Sequence, residues 1–227
     1  MKILALIPAR GSSKSIKFKN LIKIKGISLL EKNYRAVKKS KITKYVFCST
    51  ESKKIISLCD SIGLETINRP KNLSKDDTNI VNVAKHALNF LKKEKNLIFD
   101  IIVLLQPTYP FITHKDISKT LKKLKKETNS TSCQSIHQTP HSYHYLNTRI
   151  VSKNLVKFKF EKSRIKKFNK QRKDKTYNFG NLVITKVKNL LKEKNFFTKK
   201  STYVVIDRYR SFDLDDKKDL KYLKNFR

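Results

Sequence analysis

Short apolar runs alternate along this chain with longer stretches of helical periodicity, and that alternation limits the possible folds more than any other feature. Lys2 to Ile7 opens the sequence as a buried strand, Pro8 ends it, and Ala9 to Asn20 follows as a polar loop. Ser28 is placed to cap a helix over Leu29 to Lys39, with Leu30, Tyr34 and Val37 on one face. Tyr45 to Cys48 reads as a strand, Ser52 to Ile62 as a helix stopped by Gly63, and Leu64 to Ile67 as a third strand. The next helix has Asp77 or Thr78 as its cap. Its Ile80, Val83, Ala84, Ala87, Leu88 and Leu91 follow the i, i+3, i+4, i+7 pattern. Phe99 to Leu105 is the strongest buried strand, and Thr113 caps a helix that turns Ile117, Leu121 and Leu124 inward. Repetition of strand, loop and helix implies an α/β sheet with parallel strands. Ligands of such sheets bind in the loops at the carboxyl ends of the strands.

The pattern changes between Ile136 and Thr176. Stretches such as Val156-Lys157-Phe158-Lys159-Phe160 predict hairpin strands, with no clear helix. The earlier alternation returns with the strand Leu182 to Ile184, a helix near Val187 to Lys192, the strand Tyr203 to Ile206 and a last helix from about Asp216. The chain therefore reads as a single domain over 1–227 carrying a small β-rich insertion at 137–176. His137, His141 and His144 crowd that insertion. Their spacing around Pro140 is poor for a helical metal site, so a surface or dimer-contact role is preferred.

Lys and Arg number 53 against 18 Asp and Glu, giving a formal net charge of +35. Basic surfaces attract phosphate backbones. Here, however, the lysines are spread along the whole chain, and a compositional bias of the proteome accounts for them equally well. The run Lys157 to Lys175, with Phe158, Phe160 and Phe168, fits an RNA-binding arm. It also fits a one-sided strand with its apolar side inward, and the second reading is preferred. A nucleic-acid partner is therefore not favoured. Hydrophobic residues make up 38% of the chain, enough for a real core. No apolar run approaches the roughly 20 residues of a membrane span, and the N-terminus has no secretory pattern, so a soluble cytoplasmic protein with no membrane partner is expected. Cys48, Cys59 and Cys133 are odd in number and well separated, as expected of reduced core thiols.

The loop after the first strand carries Arg10, Gly11, Ser12, Ser13, Lys14, Ser15, Lys17 and Lys19. At a strand's carboxyl end, such a loop can cradle phosphates with backbone N–H groups and ammonium charge. It matches neither G-x-x-x-x-G-K-[ST] nor G-x-G-x-x-G. On spacing alone, a solvated lysine-rich loop remains an alternative.

Several ordered segments together resemble one family. Ile7-Pro8-Ala9-Arg10-Gly11-Ser12-Ser13-Lys14-Ser15-Ile16, followed by Lys19-Asn20-Leu21, resembles the I-P-A-R-G-G-S-K-G-I…K-N signature of acylneuraminate cytidylyltransferases. These are the CMP-sialic acid synthetases and their relatives for legionaminic and pseudaminic acids. Arg69-Pro70 with Leu73 and Asp76-Asp77 is similar to R-P-x-x-L-x-x-D-D. Leu104 to Phe111 is similar to L-L-Q-P-T-S-P-F/L, and Arg210 to Asp215 to the closing S-x-D-I-D segment.

The resemblance implies a Rossmann-like, three-layer nucleotidyltransferase fold with a mostly parallel sheet and a small dimerisation insertion. It implies that Ala9, Arg10, Gly11, Ser12, Lys14, Asn20 and Arg69 bind CTP, with Arg10 and Lys14 on the triphosphate. Lys14 would neutralise charge on the transferred phosphoryl group and on pyrophosphate. It also implies that Asp213 and Asp215 hold Mg²⁺, paired carboxylates beside phosphates being the usual magnesium arrangement. Their i, i+2 spacing turns both to one side of an extended segment, while a helix N-cap is the alternative for this pair. Gln106, Gln171, Phe196 and Phe197 match sugar-contacting positions, and core packing is the alternative for the two phenylalanines. The partners implied are CTP and a nine-carbon sugar acid, with a second subunit completing the sugar site. Another 2-keto acid, such as the eight-carbon acid of lipopolysaccharide, and an inert nucleic-acid-binding relative are the rival expectations.

The chain departs from the pattern at several places. Ser12 and Ser15 replace glycines, which would stiffen the loop or deny it positive φ. Tyr109 stands for a serine, Ile112 for an arginine, and Gly180-Asn181 inverts Asn-Gly.

Overall fold

A computed structural model describes every residue except Lys14, Phe226 and Arg227. In chain order, β1 (Ile3–Pro8) is followed by the small hairpin β2 (Lys23–Ile24) and β3 (Ile27–Ser28), then α1 (Leu29–Ser40), β4 (Val46–Thr50), α2 (Lys53–Ser61) and β5 (Glu65–Asn68). Next come α3 (Ile80–Lys95), β6 (Ile101–Leu104), α4 (His114–Lys126) and β7 (Ser132–Gln138). The segment leading to β10 holds β8 (Arg149–Ser152), β9 (Leu155–Phe158) and α5 (Glu161–Lys166). β10 (Tyr177–Lys186), α6 (Val187–Glu193), β11 (Ser201–Val205) and α7 (Lys217–Asn225) complete the chain.

Seven strands form one sheet in the order β11-β7-β10-β6-β1-β4-β5. β10 runs antiparallel to both its neighbours, and every other pairing is parallel. Side chains alternate across the sheet with the period of a strand, which creates two cores. Ile3, Ala5 and Ile7 of β1 face α1, α2 and α4 through Leu30, Val37, Ile55, Ile117 and Leu121. Leu4 and Leu6 face α3 through Val81, Ala84 and Leu91. The result is a Rossmann-like sandwich of helix, sheet and helix, as the alternation predicts.

Local signals hold where they are local. The Ser28 hydroxyl accepts from Glu31 N at 3.1 Å and starts α1. Thr113 and Asp116 form a reciprocal capping box at α4. For α3 the expected cap is corrected: Asn79, rather than Asp77 or Thr78, accepts from Val81 N at 2.9 Å.

The segment between β7 and β10 contains the expected hairpin, in β8 and β9, but also the helix α5. Leu146 is buried, but most apolar side chains of the lysine-rich run do not turn inward, which corrects the second expectation for this region. Val151, Leu155, Val156, Ile165 and Phe168 are all more than half exposed. His144 braces the segment from within, accepting from Leu146 N on Nδ1 and meeting the Asp174 carbonyl with Nε2. Among the described residues there is no group of three or more His, Cys, Asp or Glu able to hold a metal ion, and no helix long and apolar enough to cross a membrane. The three cysteines are free and buried.

Candidate active site

The carboxyl ends of β1, β4 and β6 and the segment before α7 converge on one cleft of about 340 Å³. Arg10, Asn20, Arg69, Gln106, Asp213 and Asp215 all line it, together with Lys19, Asp76 and Thr108. Residues far apart in sequence meet there because a parallel sheet gathers its strand ends on one edge.

On the β1 side, Arg10 leaves the strand end and pairs with Asp76 at 2.5 Å. Asn20 donates from Nδ2 to the Arg10 carbonyl at 3.0 Å, which closes the loop on itself. Glu51, just beyond β4, organises the surroundings. It accepts from Gly11 N at 2.7 Å, from the Arg69 guanidinium at 3.2 Å and from the Ser74 hydroxyl at 3.0 Å. Arg69 is only 5% exposed. Burial lowers its pKa and Glu51 opposes the shift, so the guanidinium remains charged. Gly11 is required by close approach: a Cβ there would lie 2.6 Å from Ser52 Cβ. Its N–H donates to Glu51 in this structure. Ser12 needs no positive φ, so its replacement of glycine costs no backbone strain. Lys14, expected on the triphosphate, lies outside the described residues.

On the other side, Leu214 N donates to the Thr108 carbonyl at 2.9 Å and staples the Asp213–Asp215 segment to the loop after β6. Leu214 is fully buried, so the i, i+2 carboxylates flanking it both reach the cleft. Neither is a helix cap. Asp216 caps α7, accepting from Lys218 N at 2.6 Å and Asp219 N at 2.9 Å. The Lys19 ammonium is buried beneath this segment, donating to the carbonyls of Leu214 at 2.7 Å and Asp215 at 3.0 Å. It lies 3.6 Å from the Asp215 carboxylate. Asp213 Oδ1 is buried without a hydrogen-bond partner. Burial holds the Asp213 pKa above its usual value, with Asp215 adding to the shift and contacts from Thr108 and Tyr109 opposing it. The Tyr109 phenol is pushed up by burial and by Asp213.

Some expected residues lie elsewhere. Ala9 is buried in the core, and Gly11 and Ser12 line an adjoining cleft with Ser13, Lys17 and Asp76. Gln171 sits on the exposed segment between α5 and β10, away from the cleft. Phe196 is 2% exposed and packs beneath the sheet with Leu4, Leu6 and Ile102, so its ring is core. Phe197 remains 43% exposed and meets Phe179 edge-on at 5.2 Å. The Gly180-Asn181 inversion also has a structural reason. A Cβ at Gly180 would lie 2.5 Å from Ser135 Oγ, while Asn181 uses that hydroxyl and donates to the Arg210 carbonyl at 2.9 Å.

Sequence reasoning assigned no role to Glu51, Lys19, Asp76 or Thr108. The last three stood inside quoted motifs, whereas Glu51 carried no signal of its own.

An α/β sandwich with a cationic, carboxylate-edged cleft at its strand ends defines a Rossmann-like nucleotidyltransferase fold. A solved structure of CMP:2-keto-3-deoxy-manno-octonic acid synthetase complexed with CTP superposes with a TM-score of 0.71 at 14% identity, covering 99% of this chain and 97% of that one. At that identity the likeness speaks for the fold alone. The sequence model of the cytidylyltransferase family matches residues 4–227, and the chain belongs to that family. It is 26% identical over 220 residues to the N-acylneuraminate cytidylyltransferase of Escherichia coli O18:K1:H7, covering 97% of this chain but only 51% of that protein. It therefore spans about half the length of that relative. The pseudaminic acid cytidylyltransferase of Campylobacter jejuni is 28% identical over 225 residues, with 99% and 95% of the two chains covered.

Proposed function

We propose that this protein transfers the cytidylyl group of CTP to a nine-carbon 2-keto sugar acid of the sialic-acid kind, releasing pyrophosphate. The observation that carries this reading is the convergence of Arg10, Asn20, Arg69, Gln106, Asp213 and Asp215 on one cleft. The anomeric hydroxyl attacks the α-phosphorus and gives up its proton to solvent water as its oxygen–phosphorus bond forms, while the bond from the α-phosphorus to the bridging oxygen breaks and pyrophosphate leaves with that oxygen. Arg10 and Arg69 hold the triphosphate, and Asn20 fixes Arg10 through its carbonyl. Lys14 joins them by its matched position. Gln106 orients the sugar acid against the α-phosphate.

The residues present fit Mg²⁺. Asp213 offers a buried oxygen with no partner, and the Asp215 carboxylate is 77% exposed. Two carboxylates, with no larger donor cluster among the described residues, are the set expected where substrate phosphates and waters supply the remaining ligands. When bound there by Asp213 and Asp215, the ion supplies positive charge to the reacting phosphates.

A homodimer with a shared sugar site belongs to the same proposal. The exposed apolar residues between β7 and β10 support a second copy as their cover, and Gln171 lies on that segment. The enzyme would act in the cytoplasm, where CTP is held.

Incubation with CTP, Mg²⁺ and a panel of sugar acids, measuring pyrophosphate, tests the reading. Release with nine-carbon acids is expected. Release only with the eight-carbon acid would move the substrate, and no release with any acid would remove the activity.

A further inference from the structure

Backbone hydrogen bonds bring Tyr109 to the carboxylate side of the cleft. Its N–H donates to the Gln106 carbonyl at 3.0 Å, which closes a tight turn just after β6. The Thr108 carbonyl in that turn accepts from Leu214 N at 2.9 Å. Tyr109 and Asp213 are the chain neighbours of that bonded pair, so their side chains leave two segments that are stapled together. The Tyr109 phenol and the Thr108 hydroxyl both donate hydrogen bonds to the Asp213 carboxylate. Asp213 lines the cleft and Tyr109 does not, so the phenol approaches the carboxylate from behind.

The ring that carries this hydroxyl is itself buttressed. It meets Phe179 edge-on, with centroids 5.8 Å apart and planes at 79°. Phe179 meets Phe197 in the same way, at 5.2 Å and 82°. β10 changes register directly after Phe179, and such an irregularity re-aims the side chain beside it. A serine at position 109, as in the motif this segment resembles, has its hydroxyl on a single carbon and would stop far short of where the phenol lies. The long, rigid side chain therefore supplies a donor that the shorter residue cannot.

We infer that Tyr109 is a positioning residue for the metal site, its hydroxyl holding the Asp213 carboxylate in the one orientation that serves a divalent cation in the cleft. The inference rests on the proposed Mg²⁺ site and assigns the side chain that orients it. A carboxylate already held by a hydrogen bond gives up less freedom when it takes a cation, and loss of such an outer partner weakens metal binding by roughly 10–100-fold. Ring and hydroxyl divide the task. Phe179 fixes where the ring lies, and the hydroxyl fixes the carboxylate.

CTP would be titrated calorimetrically, with no sugar acid present, into the wild-type protein, Tyr109→Phe and Phe179→Leu. Each titration is run once in saturating Mg²⁺ and once in EDTA. Tyr109→Phe keeps the ring against Phe179 and removes only the hydroxyl. It is expected to raise Kd for CTP in Mg²⁺ about tenfold, the loss of one charge-assisted hydrogen bond, while Kd in EDTA holds within about twofold. Phe179→Leu keeps the hydroxyl but loosens the ring, and should show a smaller loss, again in Mg²⁺ alone. Equal weakening of Tyr109→Phe in Mg²⁺ and in EDTA would make Tyr109 a merely structural residue, and an unchanged Kd in both would leave Asp213 oriented without it. Either result overturns the inference. Pyrophosphate release separates this failure from that of the activity. Release by the wild type together with unchanged Mg²⁺-dependent binding in Tyr109→Phe removes the positioning role and keeps cytidylyl transfer. A tenfold loss confined to Mg²⁺ with no release from any acid keeps the positioning role and removes the transfer. A wild type whose CTP affinity gains nothing from Mg²⁺ removes the metal site and the positioning role together.

Discussion

Replacing Asp213 by Asn should stabilise the metal-free protein while destroying its response to nucleotide. The carboxylate sits in the cleft beside Asp215, with Oδ1 buried and unpartnered and its pKa raised first by burial. Asn keeps the shape and removes the charge. An unsatisfied buried polar group costs on the order of 1–3 kcal/mol, and the amide keeps part of that cost, so a gain of about 1 kcal/mol is expected. In a chain of 227 residues that corresponds to a rise in Tm of roughly 2–4 °C. The sign follows from linkage. The folded-state pKa lies above the unfolded value, so the unfolded chain releases its proton first as pH rises, and the wild type loses stability through that window. The advantage of Asn is therefore absent below about pH 4 and complete above the folded pKa of Asp213. With Mg²⁺ and CTP at about 100 times Kd, the wild type gains about 2.7 kcal/mol, or roughly 5–10 °C, and the variant does not. The order of melting then reverses. Differential scanning calorimetry in EDTA at two pH values, and again with Mg²⁺ and CTP, reads both effects. A variant that melts below the wild type in EDTA at neutral pH, or that keeps the full gain with Mg²⁺ and CTP, would refute the reasoning.

Asp215→Asn should abolish Mg²⁺-dependent turnover and leave Tm within about 2 °C, because the carboxylate is 77% exposed. Undiminished activity would remove Asp215 from the metal site. Glu51→Ala strands the buried Arg69 guanidinium and should cost about 3–5 kcal/mol in urea unfolding while raising KM for CTP. A loss below about 1 kcal/mol would show that the pair does not anchor the loop. Gly180→Ala places a methyl against Ser135 and should cost about 1–3 kcal/mol by the same measurement. Val156→Asp, on an exposed strand position, should convert a sedimenting dimer to monomer and lower turnover. A wild type that sediments only as monomer at micromolar concentration would oppose the shared sugar site.

The sequence made legible what local physics decides. Ser28 and Thr113 were readable as caps because the cap and the helix it serves are neighbours in the chain. Asn79 was displaced from the expected cap by only one or two residues, since several polar residues precede α3 and tertiary placement chose among them. Strand order was not readable. β10 appeared as a short core strand because only its second half is buried, and a register shift between Phe179 and Val183 breaks its pattern. In β9 the alternation of lysine with apolar residues showed that one side was apolar, but nothing local said what would cover it. The same limit applies to Phe196 and Phe197, where adjacency sends one ring into the core and the other outward. Motif matching found both ends of the cleft. It could not find Glu51, which acts through three partners from separate parts of the chain.

The most direct test of cytidylyl transfer follows the phosphorus itself. A reaction of protein, CTP, Mg²⁺ and a nine-carbon 2-keto sugar acid, observed by ³¹P NMR, should show a new phosphodiester resonance growing in equal amount with pyrophosphate. CTP left intact, or hydrolysed to CMP with no phosphodiester formed, would contradict the account.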